Sequence, residues 1–138
     1  MPAQKRASIV IVGLPWNDGR MQQRFGIDPM IIKEGIEEMN RLMEENGFGE
    51  TCVSVQASDK TGLDEFKNVF KARKRDALFL GGGLRIGGGF ESFREEVIAA
   101  AREIQPDINV VQVSLMKGPQ SVVDAAEEVE KSLEKQPA

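Results

Sequence analysis

The sequence predicts a three-layer α/β/α domain built on a four-stranded parallel sheet. Four short apolar runs alternate with four amphipathic helical patterns, and this alternation is typical of parallel strands joined by right-handed helical crossovers. No repeat, linker or low-complexity segment interrupts the sequence, so residues 1–138 are predicted to be a single domain. A chain of this length can bury a core without disulfides.

The first strand and the first helix have clear signatures. Residues 8–14 are a continuous, largely β-branched apolar run, as expected of a strand covered on both faces. Residues 28–46 are predicted to form the first helix, because Asp28 is a suitable N-cap and Pro29 suits the first helical position. Gly47 can end this helix by adopting a left-handed backbone conformation. The apolar residues of this helix recur at helical spacing: Ile32, Ile36, Met39 and Met43.

The second and third strands flank a short helix. Residues 51–57 alternate between apolar and polar side chains and predict a strand. Thr61 is predicted to begin a helix, with a Thr-x-x-Asp cap that ends at Asp64. Residues 77–80 are apolar throughout and predict a second fully covered strand.

The remaining elements continue the alternation of strands and helices. A third helix begins around Phe90 and closes before Pro106. Residues 108–115 predict a strand with three polar members, and a final helix begins near Pro119. The apolar residues expected to pack in these two helices are Phe90, Phe93, Val97, Ala101 and Ile104, then Val122, Ala126, Val129 and Leu133.

The order of the strands follows from their polarity. The first and third runs are apolar throughout and belong in the middle of the sheet, whereas the second and fourth carry alternate polar residues, as edge strands do. The order 2-1-3-4 satisfies this pattern and begins a flavodoxin-like, Rossmann-like winding. The alternative order, 3-2-1-4, would place the apolar third strand at an edge.

Two glycine-bearing loops follow the two central strands. Residues 13–19 and 81–89 together hold eight of the fourteen glycines. In the order 2-1-3-4 the winding reverses between strands one and three, so the loops that leave these strands open a crevice between them. We therefore expect both loops to meet in one crevice at the carboxyl ends of these strands.

The residue types in these loops favour an anionic ligand. The amides of Gly82 and Gly83 can approach a ligand closely, Arg85 offers a fork of donors, and the helix that begins near Phe90 favours an anion at its amino end. If the site performs chemistry, Asp18 is the predicted acid or base, with Glu91 as a second candidate. The predicted ligand-binding residues are Gly13, Asn17, Arg20, Gly81, Gly82, Gly83, Arg85 and Lys117. A tight turn or a hinge without a ligand is the alternative interpretation of the glycine triplets.

The connection between the first strand and the first helix is unusually long. Residues 15–27 exceed the two to six residues common in such loops, which suggests a lid or a binding loop. Within it, Trp16 and Phe25 are expected to cover the end of the sheet rather than to bind a ligand.

Composition excludes several classes of function. The chain has no histidine and no tyrosine, which rules out histidine-based catalytic triads, imidazole metal sites and the phenolic acid or base of many reductases. The net charge of −4 argues against nucleic acid as a partner, and the basic run at residues 71–75 is expected to be a solvated helix end. The single Cys52 is expected to be an inert packing residue in a reducing, cytoplasmic setting, with no membrane segment and no leader.

The third strand and the helix after it carry a resemblance. Residues 76–85 read Asp-Ala-Leu-Phe-Leu-Gly-Gly-Gly-Leu-Arg, and Phe90-Glu91 then opens a helix that ends before Pro106. This pattern resembles a group of small uncharacterised α/β proteins of bacteria and fungi, in which an apolar strand ends in Gly-x-Gly-aliphatic-Arg before a helix that opens with Phe-Glu.

The resemblance spans roughly residues 27–126 and departs after the last strand. There the group tends to have Phe-Asn-Thr, where residues 113–116 of this chain are Val-Ser-Leu-Met. The resemblance implies the α/β fold and draws attention to Gly81, Gly83 and Arg85 as site residues.

Three functions remain open at this point. The first is a domain that binds or acts on a small anionic metabolite, such as a nucleotide or another phosphate compound; the missing dinucleotide fingerprint favours a hydrolase or transferase over a reductase. The second is an interaction module, monomeric or homodimeric, that uses its edge strands or an acidic last helix. The third, flavin binding, rests on analogy of fold alone. The acidic residues of that helix are Asp124, Glu127, Glu128 and Glu130.

Overall fold

The fold is known from a computed structural model, which describes residues 7–16, 26, 28–57, 59–81, 84, 90–113 and 117–134. One parallel sheet of four strands has the order β2-β1-β3-β4, so the predicted fold class and winding are confirmed. The strands are β1 (Ile9–Gly13), β2 (Cys52–Gln56), β3 (Ala77–Leu80) and β4 (Asn109–Gln112). The helices are α1 (Pro29–Glu45), α2 (Lys60–Lys71), α3 (Glu91–Ile104) and α4 (Pro119–Glu134).

The two central strands are buried along their length, and the two edge strands are not. All four residues of β3 are buried, as are the first four of β1, whereas β2 has one buried residue and β4 has none, their other positions being partly buried or exposed. Ile11 of β1 lies in register between Ser54 of β2 and Phe79 of β3. A strand that is covered on both faces and paired on both edges has no position for a polar side chain, which is why polarity predicted the order.

Helices cover both faces of the sheet. Residues of β1 and β3 alternate between the two faces, so each strand contributes to two separate cores. The core under α2 and α3 contains Val10, Val12, Phe66, Phe70, Leu78, Leu80, Val97 and Ala101. The core under α1 and α4 contains Ile9, Ile11, Met39, Met43, Phe79, Val122, Ala126 and Val129.

The predicted ends of α1 are confirmed. The Asp28 side chain accepts a hydrogen bond from the backbone N–H of Met30, and Pro29 occupies the first helical position. Gly47 has a φ of 90°, which is the left-handed conformation predicted for the helix stop.

The predicted cap of α2 is wrong by two residues. Asp59, not Thr61, is the N-cap, and its carboxylate accepts a hydrogen bond from the backbone N–H of Gly62 at 2.9 Å. Asp59 has extended backbone angles, so its short side chain reaches the free amide of the first turn directly. Both residues are competent caps in sequence, and the course of the chain out of β2 selects the earlier one.

Two details near α3 and β4 also differ from expectation. Ile104 is 39% exposed rather than packed, because it lies in the last turn of α3. The fourth strand is Asn109–Gln112, so Ile108 and Val113 lie outside it, and the last two residues of the predicted 108–115 are not among the described residues.

The basic run at the end of α2 is not uniformly solvated, contrary to prediction. Lys71, Arg73 and Lys74 are exposed, but Arg75 is only 3% exposed. Its guanidinium donates to the Ser8 hydroxyl at 3.1 Å and to a backbone carbonyl of α2. Burial lowers the pKa of Arg75, and nearby Arg73 adds to this effect. Arg75 is therefore a structural group of the amino edge of the sheet.

One residue of the predicted acidic face is also structural. Glu130 is 6% exposed, and its carboxylate accepts a hydrogen bond from the backbone N–H of Ala7 at 2.8 Å. Asp124 and Glu128 are exposed, so the acidic surface of α4 is smaller than the sequence predicted.

Candidate functional site

The carboxyl ends of β1 and β3 are direct neighbours. Val12 and Leu80 are paired in register, and the backbone N–H of Gly81 donates to the Val12 carbonyl at 2.8 Å. Gly13 and Gly81, which begin the two glycine-bearing loops, therefore lie at the same edge of the sheet, where its winding reverses.

Only part of the predicted site lies within the described residues. Gly13 is partly exposed, Gly81 is buried, and Glu91 and Lys117 are exposed. Glu91 begins α3, and Lys117 precedes α4 by two residues. Outside the described residues lie the other predicted site residues, namely Asn17, Asp18, Arg20, Gly82, Gly83 and Arg85, and also Phe25. Their meeting in one crevice stays a prediction.

The two described glycines differ in how they are held. The carbonyl of Gly13 accepts a hydrogen bond from the backbone N–H of Ala57 at 2.9 Å, which ties β1 to the end of β2. A Cβ atom built at Gly81 would lie 3.5 Å from the Cγ2 of Val113 and 3.8 Å from the carbonyl oxygen of Val12. These are ordinary van der Waals distances, so packing within the described residues does not require glycine at position 81.

A hollow lies at this edge of the sheet, on the side of α1 and α4. Its volume is about 50 Å³, and it is open to solvent on one side. This volume is smaller than the roughly 300 Å³ or more of typical small-molecule sites. Its lining comes from all four strands or their ends and from two helices: Ile11, Gly13, Leu14, Ile32, Ile36, Met39, Ser54, Val55, Gln56, Gly81, Val113 and Val122.

The lining of the hollow is uncharged and mostly apolar. Among the described residues that form it, only Ser54 and Gln56 have polar side chains. The Ser54 hydroxyl donates to the Asn40 side-chain oxygen at 3.0 Å. Gln56 is exposed, and its side-chain amide makes no hydrogen bond within the described part of the chain. The hollow therefore has an apolar surface, with the side-chain amide of Gln56 free to form hydrogen bonds at one side.

Both helices that border the hollow begin at this edge. The positive end of the α1 dipole faces the Asp28 carboxylate, which caps it. Within its described first turn, α4 has no acidic side chain, and the backbone N–H of Ser121 donates to the carbonyl of Gly118. The positive end of α4 is therefore not offset by a carboxylate in that turn.

Trp16 lies beside α1 near the same edge. Its ring is partly exposed, and the Nζ of Lys33 lies 5.5 Å from the ring centroid, within cation–π range. Trp16 thus contacts a side chain of α1, and its covering of the sheet end stays a prediction.

Cys52 is not a nucleophile of this site. It begins β2, at the opposite end of the strand from the hollow, and burial raises the pKa of its thiol to about 12. The thiol is therefore protonated at neutral pH. Among the described residues, no three acidic or cysteine side chains are grouped so that they could hold a metal ion.

The helical side of the hollow was not predicted from the sequence. Ile32, Ile36 and Met39 were assigned to the core stripe of α1, but the first two are only partly buried. The available signal was their position in the first two turns of a helix that follows a glycine-bearing loop. Such turns lie at the carboxyl edge of a parallel sheet, where ligands bind.

Comparisons with protein-family models and with curated proteins give no match for this chain. None of the helices in the described part of the chain has both the length and the apolar character needed to cross a lipid bilayer.

Proposed function

We propose that this chain binds a small anionic metabolite, such as a nucleotide or another phosphate compound, in the crevice between the carboxyl ends of β1 and β3. One observation carries the proposal: Gly13 and Gly81 lie side by side at the carboxyl edge of the sheet, where its winding reverses. Open α/β sheets bind their ligands at this position.

The roles of the loop residues follow from their chemistry. The amides of Gly82 and Gly83 and the guanidinium of Arg85 hold the anion, because glycine amides can approach a ligand closely and a planar fork of donors suits phosphate. Asn17 and Arg20 contribute from the first loop. Lys117 adds a further cationic contact from beyond β4.

Gly81 supports this assignment. Its surroundings would admit a methyl group without a clash, and its φ is not in the left-handed region. Neither packing nor backbone conformation within the described residues accounts for a glycine there. Close approach of a ligand to the backbone does.

If the site is catalytic, Asp18 acts as the acid or base and Glu91 is the second candidate. The reaction is then a hydrolysis or a group transfer, since the chain lacks the glycine fingerprint of dinucleotide-dependent reductases.

The test is binding of phosphate compounds to the whole chain. Inorganic phosphate, ribose 5-phosphate and AMP are added in thermal-shift and calorimetric titrations. We expect stabilisation by at least one of them and a loss of that binding in Arg85→Ala. The matched control is Arg73→Ala, which removes the same charge from an exposed position after the end of α2, at the opposite edge of the sheet. Absence of binding by all three compounds, or equal binding by Arg85→Ala and wild type, would overturn the proposal.

A further inference from the structure

The outer edge of β2 carries backbone groups that the sheet does not use. The carbonyl of Thr51 accepts a hydrogen bond from the backbone N–H of Ile9 at 3.0 Å, and the N–H of Ala57 donates to β1 at 2.9 Å. Successive residues of a strand direct their N–H and C=O groups to opposite edges. Because the odd-numbered residues bond to β1, Ser54 and Gln56 direct their backbone groups to the outer edge, where β2 has no neighbouring strand.

This edge lacks the features that commonly keep strands from pairing. β2 contains no charged residue and no proline, and these are among the devices that protect an edge. At its amino end the edge is closed, because the N–H of Cys52 donates to the Phe48 carbonyl at 3.0 Å. The open part of the edge therefore begins after Cys52 and includes Ser54 and Gln56.

A groove lies beside the open edge, between β2 and the second half of α1. Its volume is about 350 Å³, which is within the roughly 300–1,000 Å³ of small-molecule sites and leaves room for a long side chain. The buried side chains of Ile11, Met43 and Phe48 form its apolar floor, and the exposed side chains of Asn40 and Ser54 lie at its rim. The groove shares Ile11 and Ser54 with the smaller hollow but extends toward the amino end of β2.

Glu44 gives the groove its charge. Among the described residues that line the groove, Glu44 alone is charged, and it makes no ion pair within the described part of the chain. A Cβ atom built at Gly49 would lie 3.2 Å from the Cγ of Glu44, so the stem of this side chain lies against the loop that follows α1. The groove thus combines an apolar floor with an exposed carboxylate.

A lysine or arginine side chain matches this combination. Both have a hydrocarbon stem that is favourable against apolar surface and a cation that stays near water or a carboxylate. Cys52 packs against the core under α1 and α4, and Ser54, two residues later, lies on the same face of the sheet. On a strand added beside β2, the residue opposite Ser54 therefore directs its side chain to the side of the groove.

We propose that the outer edge of β2 binds an extended peptide of a partner protein as a fifth strand, with a lysine or arginine side chain in the groove and its cation at Glu44. Pairing of this kind takes its affinity from backbone hydrogen bonds and its specificity from the side-chain pocket. A second copy of this chain paired through β2 would not supply the cation, because β2 has no basic residue. The proposal is independent of the anion site, since it uses none of the residues predicted to bind the anion.

The experiment separates the strand from the side chain. The probe is a capped pentapeptide, acetyl-Thr-Val-Lys-Val-Thr-amide, titrated into the whole chain by calorimetry and by NMR of the backbone amides. Two comparison ligands are the same peptide with norleucine for lysine, which keeps the four-carbon stem without the charge, and N-acetyl-lysine amide, which has the side chain without a strand. We expect the lysine peptide to bind at least about tenfold more tightly than N-acetyl-lysine amide and about threefold more tightly than the norleucine peptide, and to shift the amide resonances of Ser54 and Gln56.

A matched pair of variants locates the cation. Glu44→Gln removes the charge of the groove and keeps the size of the side chain, whereas Glu34→Gln makes the same change at an exposed residue of α1 outside the lining. We expect Glu44→Gln to weaken the lysine peptide by about threefold or more and to leave the norleucine peptide unchanged, with Glu34→Gln without effect. Circular dichroism verifies that both variants are folded.

Each other outcome overturns the proposal. If the pentapeptide does not bind, or binds no more tightly than N-acetyl-lysine amide, β2 does not accept a strand. If Glu44→Gln and Glu34→Gln behave alike, the groove does not hold the cation. If sedimentation shows a dimer in which the Ser54 and Gln56 amides are protected from exchange without any peptide, the edge is covered by a second copy instead.

Discussion

Gly62 in the first turn of α2 is predicted to be a glycine that the fold requires. A Cβ atom at this position would lie 2.8 Å from both the Cα and the Cβ of Ala57. Carbon atoms normally approach to about 3.5–4.0 Å, so the overlap is about 0.7 Å or more. Because one of the two contacts is to backbone, a side-chain rotation cannot relieve it. The end of β2 and the start of α2 must move apart, and the hydrogen bond from Gly62 to Asp59 is strained with them.

The net cost of Gly62→Ala is the difference between two effects. Overpacking costs about 1–3 kcal/mol, and the better helix propensity of alanine returns up to about 1 kcal/mol. We expect a net loss of about 1–2 kcal/mol in the free energy of unfolding, and for a domain of this size a decrease in Tm of roughly 4–8 °C.

Urea unfolding followed by circular dichroism measures this loss. Gly81→Ala is the matched control, because its added methyl group has its nearest contact at 3.5 Å, and we expect its stability to stay within about 0.5 kcal/mol of wild type. A Gly62→Ala variant as stable as wild type would refute the reasoning, since the close approach of α2 to β2 would then be absent.

Three further predictions concern individual side chains. Asp28→Ala removes the cap of α1 and should cost about 1 kcal/mol in urea unfolding, whereas Asp28→Asn, which keeps an acceptor oxygen, should cost much less; equal losses would contradict the cap. Burial raises the pKa of the Cys52 thiol from 9.0 to about 12. Since the unfolded thiol ionises first, stability should be insensitive to this group below about pH 9 and should fall as pH rises from there toward 12. Between about pH 8 and about pH 10.5, the free energy of unfolding of Cys52→Ala should fall less than that of wild type. An equal fall in both proteins would exclude the thiol as its source. Glu130→Ala leaves the backbone N–H of Ala7 without its acceptor and should cost about 1–3 kcal/mol, with Glu130→Gln closer to wild type; a neutral Glu130→Ala would show that water replaces the carboxylate.

Much of the fold was predictable because its signals are local. The apolar run at β3 and the alternation at β2 each reflect how many faces and edges of a strand meet water. Asp28 and Gly47 act on the turns of α1 next to them, so their roles could be assigned without knowledge of distant residues.

Two of the wrong expectations, those for Arg75 and Glu130, concern groups whose surroundings come from distant parts of the chain. The buried guanidinium of Arg75 donates to the hydroxyl of Ser8, which precedes β1 and is 67 residues away in the sequence. The buried carboxylate of Glu130 accepts a hydrogen bond from the backbone N–H of Ala7, 123 residues away in the sequence. No pattern near either residue in the sequence carries that information.

In the candidate site, the strand side could be predicted from the sequence, whereas the helical side could not. Gly13 and Gly81 could be placed together from the sequence, because adjacent parallel strands end at one edge and strand order follows from polarity. The hollow could be found only in the tertiary structure. It exists because α1 packs across the strand ends at a distance that leaves Ile32 and Ile36 only partly covered. Periodicity reports which side of a helix is apolar, but the gap between that side and the sheet depends on the volumes of all the side chains packed between them.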